Sequence, residues 1–183
     1  MNLDGEFTQC VAKNGWGGRW SPVSKELLFT GPGTNGQDFI IYNLDEDSYR
    51  EVFGAKGHPY QRLVFNSEWS SKADRIFFKA TRKDGSSEIS SVSVAVPQDI
   101  RVLFLRNSYA NIGLLSDDEF IVPYGAKPFG TVQLHRIKIN GAAPAADDSG
   151  KHLAGQFTDR NSYGCAISAD RKKIYYISVP KTP

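Results

Sequence analysis

The chain repeats one block of sequence in a constant, ungapped register. Trp20-Ser21-Pro22-Val23-Ser24-Lys25-Glu26-Leu27-Leu28-Phe29 aligns with Trp69-Ser70-Ser71-Lys72-Ala73-Asp74-Arg75-Ile76-Phe77-Phe78. It aligns again with Ile167-Ser168-Ala169-Asp170-Arg171-Lys172-Lys173-Ile174-Tyr175-Tyr176. The spacings are 49 residues (20 to 69) and 98 (69 to 167), twice the first. A further copy is therefore expected near residue 118, and Leu115-Ser116-Asp117-Asp118-Glu119-Phe120-Ile121-Val122 fills that place with a turn two residues shorter. Repetition at this period means that one supersecondary unit recurs and buries its apolar faces against its neighbours.

Each block reads as a strand, a tight turn and a second strand rich in aromatic and β-branched residues. Further strands are expected at Asp38–Asn43, Glu88–Val94 and Val132–Ile139, each after a glycine-containing loop, and Asn140-Gly141 is a hairpin signal. Fourth strands are expected at Tyr49–Phe53, Ile100–Leu105 and Lys151–Phe157. No stretch carries a sustained 3.6-residue apolar period, so no long helix is expected. Four strands in about 46 residues is the signature of a β-propeller blade. The expected fold class is all-β: a β-propeller of four four-stranded blades closed by pairing of the N- and C-terminal strands, or a fragment of a larger propeller. Closure is suggested by Asn2-Leu3-Asp4, which repeats Asn43-Leu44-Asp45. Residues Asn2–Cys10 would supply the outer strands of the blade whose inner hairpin is Gly164–Val179, and so remove the exposed sheet edges. One domain is expected over residues 1–183.

Composition narrows the functional classes. Twenty-two basic against twenty acidic residues give a net charge of +2, too balanced to point to nucleic acid or an anionic membrane. No apolar run approaches the roughly 18 residues of a membrane span. Met1-Asn2-Leu3-Asp4-Gly5 lacks the basic and apolar regions of a secretory leader; the default compartment is the cytoplasm, or the periplasm if the N-terminus has been trimmed. In the closed arrangement Cys10 and Cys165 lie three strand spacings apart, about 14 Å against a disulfide limit of about 7 Å, so both thiols are expected free.

The repeated block resembles the inner hairpin of the TolB-like propeller family, which runs Trp/Phe-Ser-Pro-Asp-Gly-Lys before two or three apolar residues. Trp20-Ser21-Pro22 follows it closely, with Ser24 in the place of the turn glycine; Ile167-Ser168-Ala169-Asp170-Arg171-Lys172 keeps the aspartate and lysine; Trp69-Ser70-Ser71 keeps the first two positions. The stretches Asn161-Ser162-Tyr163 and Ser178-Val179-Pro180-Lys181 resemble the last blade of bacterial TolB-like proteins. The resemblance implies a propeller used for binding and interaction. It also implies a second possibility, because the family includes propellers attached to peptidases and polysaccharide lyases.

A second repeat precedes each inner strand: Asn14-Gly15-Trp16-Gly17, His58-Pro59-Tyr60-Gln61, Asn107-Ser108-Tyr109-Ala110 and Asn161-Ser162-Tyr163-Gly164. In a propeller these loops open on one mouth of the central channel. Aromatic rings there offer flat apolar area with a polar edge, suited to sugars, peptides or apolar side chains. Arg19, Arg62 and Arg160 lie close by in sequence and could hold an anionic group. The expected contact set is therefore Asn14, Trp16, Arg19, His58, Tyr60, Arg62, Asn107, Tyr109, Arg160, Asn161 and Tyr163. The competing explanation is that the aromatics pack between blades and the asparagines bond their own turns. The expected function is a non-catalytic binding or interaction module, with another protein or a small carbohydrate or peptide as partner and no cofactor or metal. The alternative is a carbohydrate- or peptide-processing enzyme at the same mouth, with His58, Tyr60 or Tyr163 as acid/base candidates. The sequence has no nucleophile elbow, paired-histidine zinc motif or phosphate-binding loop. Gly31-Pro32-Gly33-Thr34-Asn35-Gly36, Asp117-Asp118-Glu119 and Asp147-Asp148 read as turns.

Overall fold

A computed structural model describes residues 10–105, 112–124, 133–138, 151–152, 160–168 and 170–180. The first sheet comprises β1 (Trp16–Trp20), β2 (Glu26–Gly33), β3 (Gly36–Asn43) and β4 (Ser48–Glu51). The second comprises β5 (Tyr60–Trp69), β6 (Arg75–Arg82), β7 (Ser87–Ser93) and β8 (Ile100–Leu105). The third comprises β9 (Gly113–Ser116), β10 (Glu119–Tyr124), β11 (Gln133–Lys138) and β12 (Lys151–His152). The fourth holds β13 (Arg160–Ile167) and β14 (Ile174–Pro180). Within each sheet the strand order follows the chain, so every sheet is an antiparallel meander. The only helical element among the described residues is the short 3₁₀ turn Gly54–Lys56. This is the blade organisation of a β-propeller.

The repeated serine explains why the block folds the same way each time. The backbone N–H of Ser21, Ser70 and Ser168 donates to the carbonyls of Glu26, Arg75 and Lys173, at 2.8, 2.9 and 2.9 Å. Each serine hydroxyl accepts from a backbone N–H across its own turn: from Val23 and Ser24 at 3.3 Å, from Arg75 at 2.9 Å and from Lys173 at 2.8 Å. A side-chain oxygen that satisfies turn amides in place of water is the usual reason for serine in such turns.

Strand side chains alternate between two faces, and in this stack both faces are buried. Leu28, Phe39 and Ile41 of the first sheet pack against Leu63, Trp69, Ile76, Phe78 and Val92 of the second. Phe77 and Ile89, on the second sheet's other face, pack against Ile112, Leu114, Phe120 and Ile137 of the third. We call the face turned to the preceding sheet leading and the face turned to the following sheet trailing. The second strands therefore read as continuous apolar runs. The two end faces differ. The leading face of the first sheet buries Phe29, Ile40 and Tyr42 beneath Val11 and Ala12, and the trailing face of β14 exposes Tyr175, Ile177 and Val179.

Each expected strand is present where it falls on described residues, although β4 stops at Glu51 rather than Phe53 and β7 at Ser93 rather than Val94. Asn140-Gly141 and residues 153–157 lie outside them. So do residues 1–9, and with them the proposed pairing of Asn2–Asp4. Cys10, expected on the outermost strand of the fourth blade, lies in no strand and is an exposed free thiol. It directly precedes Val11 and Ala12, which pack on the first sheet, and its Sγ donates to the Ala12 carbonyl. Among the described residues the fourth sheet has two strands, β13 and β14. The Cys165 side chain is not among those described.

Candidate functional site

The first strand of each blade, β1, β5, β9 or β13, is the innermost in a propeller, and β1 packs directly on β5. Three of these inner strands bulge at one level of the ladder. Thr30, Lys79 and Ile177 are equivalent by register, and opposite them stand Trp16, Val64 and Tyr163. Two positions along, Leu28, Phe77 and Tyr175 face Arg19, Glu68 and Ala166. The inner strands use three, four and three residues to cover two positions of the partner strand. Gly17, at φ 67°, supplies the left-handed geometry at the first bulge. Bulges at barrel and propeller rims re-aim side chains, and here the distortion recurs beside the axis in three blades.

The bulges also place the expected contact residues. Trp16 and Tyr163 share one level. Tyr60 faces Arg82 and Arg160 faces Pro180, equivalent positions three residues further along the second strand, about 10 Å toward the start of the inner strand. Trp16 and Tyr60 therefore do not sit at one height, and the departure of their sequence offset (44 rather than 49) is the trace of this displacement. Asn107 and Tyr109 lie outside the described residues, as do the side chains of Asn161 and Tyr163.

Exposure separates the rest. Trp16 is 53% exposed at the head of β1, next to exposed Asn14. Tyr60 is 6% exposed; it packs edge-on against Phe78 at 5.5 Å and belongs to the core between the first two blades. Its hydroxyl meets Ser90 and Glu88, and burial, first of all, pushes the phenol well above its usual 10.0. Glu88 is 1% exposed, accepts from Ser90 Oγ at 2.6 Å and is ion-paired to Arg82. His58 is half-buried. Its Nε2–H donates to the Gln37 carbonyl at 2.7 Å, while Nδ1 accepts from the Tyr60 N–H at 3.2 Å, which sets a neutral tautomer. Both ring nitrogens thus tie the second blade's inner strand to the first blade. Arg62 is exposed, and Arg160 is half-buried with partners of its own.

Arg19 does not point into free space. Its Nε donates to Glu68 Oε1 at 2.9 Å, a pair that joins equivalent positions of adjacent blades. Beside it, Trp69 Nε1–H donates to the Arg19 carbonyl at 3.1 Å. Burial raises the Glu68 carboxyl above its usual 4.5, and the charge and hydrogen bond of Arg19 oppose that rise, with a further contribution from Arg171 of the fourth sheet. Arg171 in turn donates to the Leu115 carbonyl of the third sheet at 2.9 Å. Asp117, read from sequence as a turn residue, accepts from the Ser71 N–H at 2.7 Å and its hydroxyl at 2.6 Å across another blade boundary. Glu68 was not singled out by the sequence reading, although the register is restored there after the bulge, with Glu68 opposite Phe77 as Arg19 is opposite Leu28. Its equivalence to Arg19, 49 residues earlier, was the available signal. No group of three His, Cys, Asp or Glu side chains suited to a metal converges among the described residues.

No family model matches the sequence, and no curated protein matches it. Solved structures do. TolB from Acinetobacter baumannii superposes with a TM-score of 0.73 at 16% identity, over 99% of this chain and 42% of that one. A protein assigned as TolB from Agrobacterium tumefaciens gives 0.68 at 16%, over 90% of this chain and 53% of that one. The acylaminoacyl peptidase of Pyrococcus horikoshii gives 0.57 at 15%, over 93% of this chain and 29% of that one. The chain thus spans about half or less of the length of these proteins. At such identities the likeness establishes the fold, a propeller of the TolB type.

Proposed function

We propose that this chain, a β-propeller of the TolB-like fold, is a non-catalytic binding module over residues 1–183, whose contact surface is the channel mouth where the inner strands begin. The observation that carries this reading is the exposed indole of Trp16, at the head of an inner strand and at the level of a recurrent bulge. Asn14, Arg62, Arg160, Asn161 and Tyr163 complete the contact set together with Asn107 and Tyr109 of the third blade. Arg19 and His58 support it through the inter-blade hydrogen bonds they make, and Tyr60 through its packing in the core between the first two blades. A solvent-facing indole and the exposed guanidinium of Arg62 suit a peptide segment of another protein, whose apolar side chains stack on the ring and whose carboxylates meet the arginine. The engagement of both His58 nitrogens with backbone groups and the burial of the Tyr60 phenol favour binding over proton transfer at this mouth.

The test is selection of binders from a random peptide library on the immobilised protein. Selected peptides are expected to lose at least tenfold in affinity for Trp16→Ala and Arg62→Ala, with unchanged melting. Peptides that bind both variants as tightly as the wild type would place the contact surface elsewhere. Carbohydrate ligands selected on a glycan array, in the absence of peptide binders, would replace the partner class while keeping the mouth.

A further inference from the structure

The end of the blades at which the inner strands finish carries a cleft of about 580 Å³ where Arg50 of β4 meets the second blade. The 72–74 turn between β5 and β6, Arg75 at the head of β6, the 93–95 segment at the end of β7 and Arg101 of β8 complete its walls. Ala73 holds the turn in the left-handed region, at φ 55°, and packs on the core between the two blades, which fixes the backbone that carries Lys72. Hydrogen bonding around the cleft is unbalanced in one direction. The carboxylates are engaged: Asp99 accepts from Arg75 Nη1 at 2.5 Å and Arg101 Nε at 3.2 Å, Glu26 from Arg50 Nη2 at 2.9 Å, and Asp74 from Ser70 Oγ at 2.7 Å. Arg75 is a fixed part of the wall, with its Nε and Nη2 on Ser91 and on the Asp99 carbonyl. The donors of the other groups stay uncommitted among the described residues. Lys72 has no partner, Arg50 keeps Nε and Nη1, and Arg101 keeps Nη1. Ser93 Oγ accepts from the Val96 N–H at 3.1 Å while its own O–H has no acceptor. Four cations against the three carboxylates of Glu26, Asp74 and Asp99 leave the region net positive.

We propose that this cleft binds the phosphate group of a small phosphate monoester. An incoming group meets spare N–H and O–H donors rather than spare acceptors, so it must bring oxygens and negative charge. The donors come from a turn and from three strands. A phosphate monoester suits that spread, because its three terminal oxygens point to different sides, whereas a carboxylate offers two oxygens in one plane. Asp99 and Glu26 orient Arg101 and Arg50 without using all their donors, so the site is organised before the anion arrives. The cleft volume is that of a small-molecule site rather than of a bare ion. It leaves room for an organic part against Val94, which is half-buried on the core between the blades. The cleft lies at the opposite end of the blades from the Trp16 mouth, so this proposal and the peptide-binding reading stand or fall separately.

Calorimetric titration with inorganic phosphate and with phenyl phosphate tests this on the wild type, Lys72→Ala, Arg101→Gln and Arg62→Ala. All three replaced residues are exposed, and thermal melting checks that each variant keeps its fold. The wild type should bind both anions at one saturable site, with phenyl phosphate at least about threefold tighter through its apolar part. Lys72→Ala and Arg101→Gln should each weaken binding about tenfold, as loss of a charge-assisted hydrogen bond does. Arg62→Ala, at the mouth, should leave binding unchanged. No saturable binding, no difference between the two anions, or binding that survives both cleft substitutions would overturn the proposal. Equal weakening by Arg62→Ala would overturn it too, since that is general ionic attraction without a site.

Discussion

Trp69 and Trp20 occupy the same place in the repeat and meet opposite environments. Trp69 lies 5% exposed between two blades, its ring in the largest apolar cluster and its N–H on the Arg19 carbonyl; Trp20 is 60% exposed on the end face. The residue, the turn that follows it and the strand opposite it are shared. Only the presence of a sheet in front differs. A repeat unit thus carries the chemistry of an interface whether or not the interface is filled, and its neighbours decide whether that chemistry contributes to folding.

The comparison can be broken by measuring what each side contributes. Trp69→Ala should cost about 3–5 kcal/mol of unfolding free energy, as loss of a large buried aromatic does, and the check is urea denaturation monitored by circular dichroism. A cost near zero would mean that the blade boundary is not an energetic unit. Tyr60→Phe comes next. It removes the hydroxyl at Glu88 and Ser90 while keeping the ring on Phe78, and should cost about 1–2 kcal/mol, read in the same assay.

A smaller effect concerns pH. The Glu68 carboxyl is raised above 4.5 in the folded chain, chiefly by burial, so the folded state holds that proton more tightly than the unfolded state. Its contribution is complete below about pH 4.5 and is lost as pH rises through the folded value. Melting temperatures of the wild type and Glu68→Gln should therefore diverge in the variant's favour between about pH 4 and neutrality. A constant difference would mean that Arg19 compensates fully for the burial. The smallest effect should be that of Trp20→Ala, within about 0.5 kcal/mol as for an exposed position; a cost approaching that of Trp69→Ala would show that the end face is covered within one chain.

Much of the blade was legible because it is local. The serine that satisfies its own turn, the two-residue alternation and the 49-residue recurrence are properties of contiguous residues, and the hairpins and meanders follow from them. The candidate site was legible only in part. Trp16 and Tyr60 share a motif, yet the unequal bulges of β1 and β5 set them at different heights, and packing buries one ring while leaving the other in solvent. The same limit applied to Arg19. Its partner Glu68 lies one repeat away, and no local pattern announces that equivalent positions of adjacent blades bear opposite charges and meet.

The sequence by itself determined the unit: four strands, their order, their turns and the two apolar faces each sheet must bury, because side-chain period and turn chemistry act over a few residues. The tertiary structure decided what each unit meets. It placed Tyr60 and His58 in a blade boundary, paired Arg19 with Glu68, routed Val11 and Ala12 across the first sheet and exposed Trp20, Tyr175 and Ile177. Those outcomes depend on which surface comes next in the stack, and burial, ion pairing and proton affinity are properties of two surfaces in contact rather than of either strand alone.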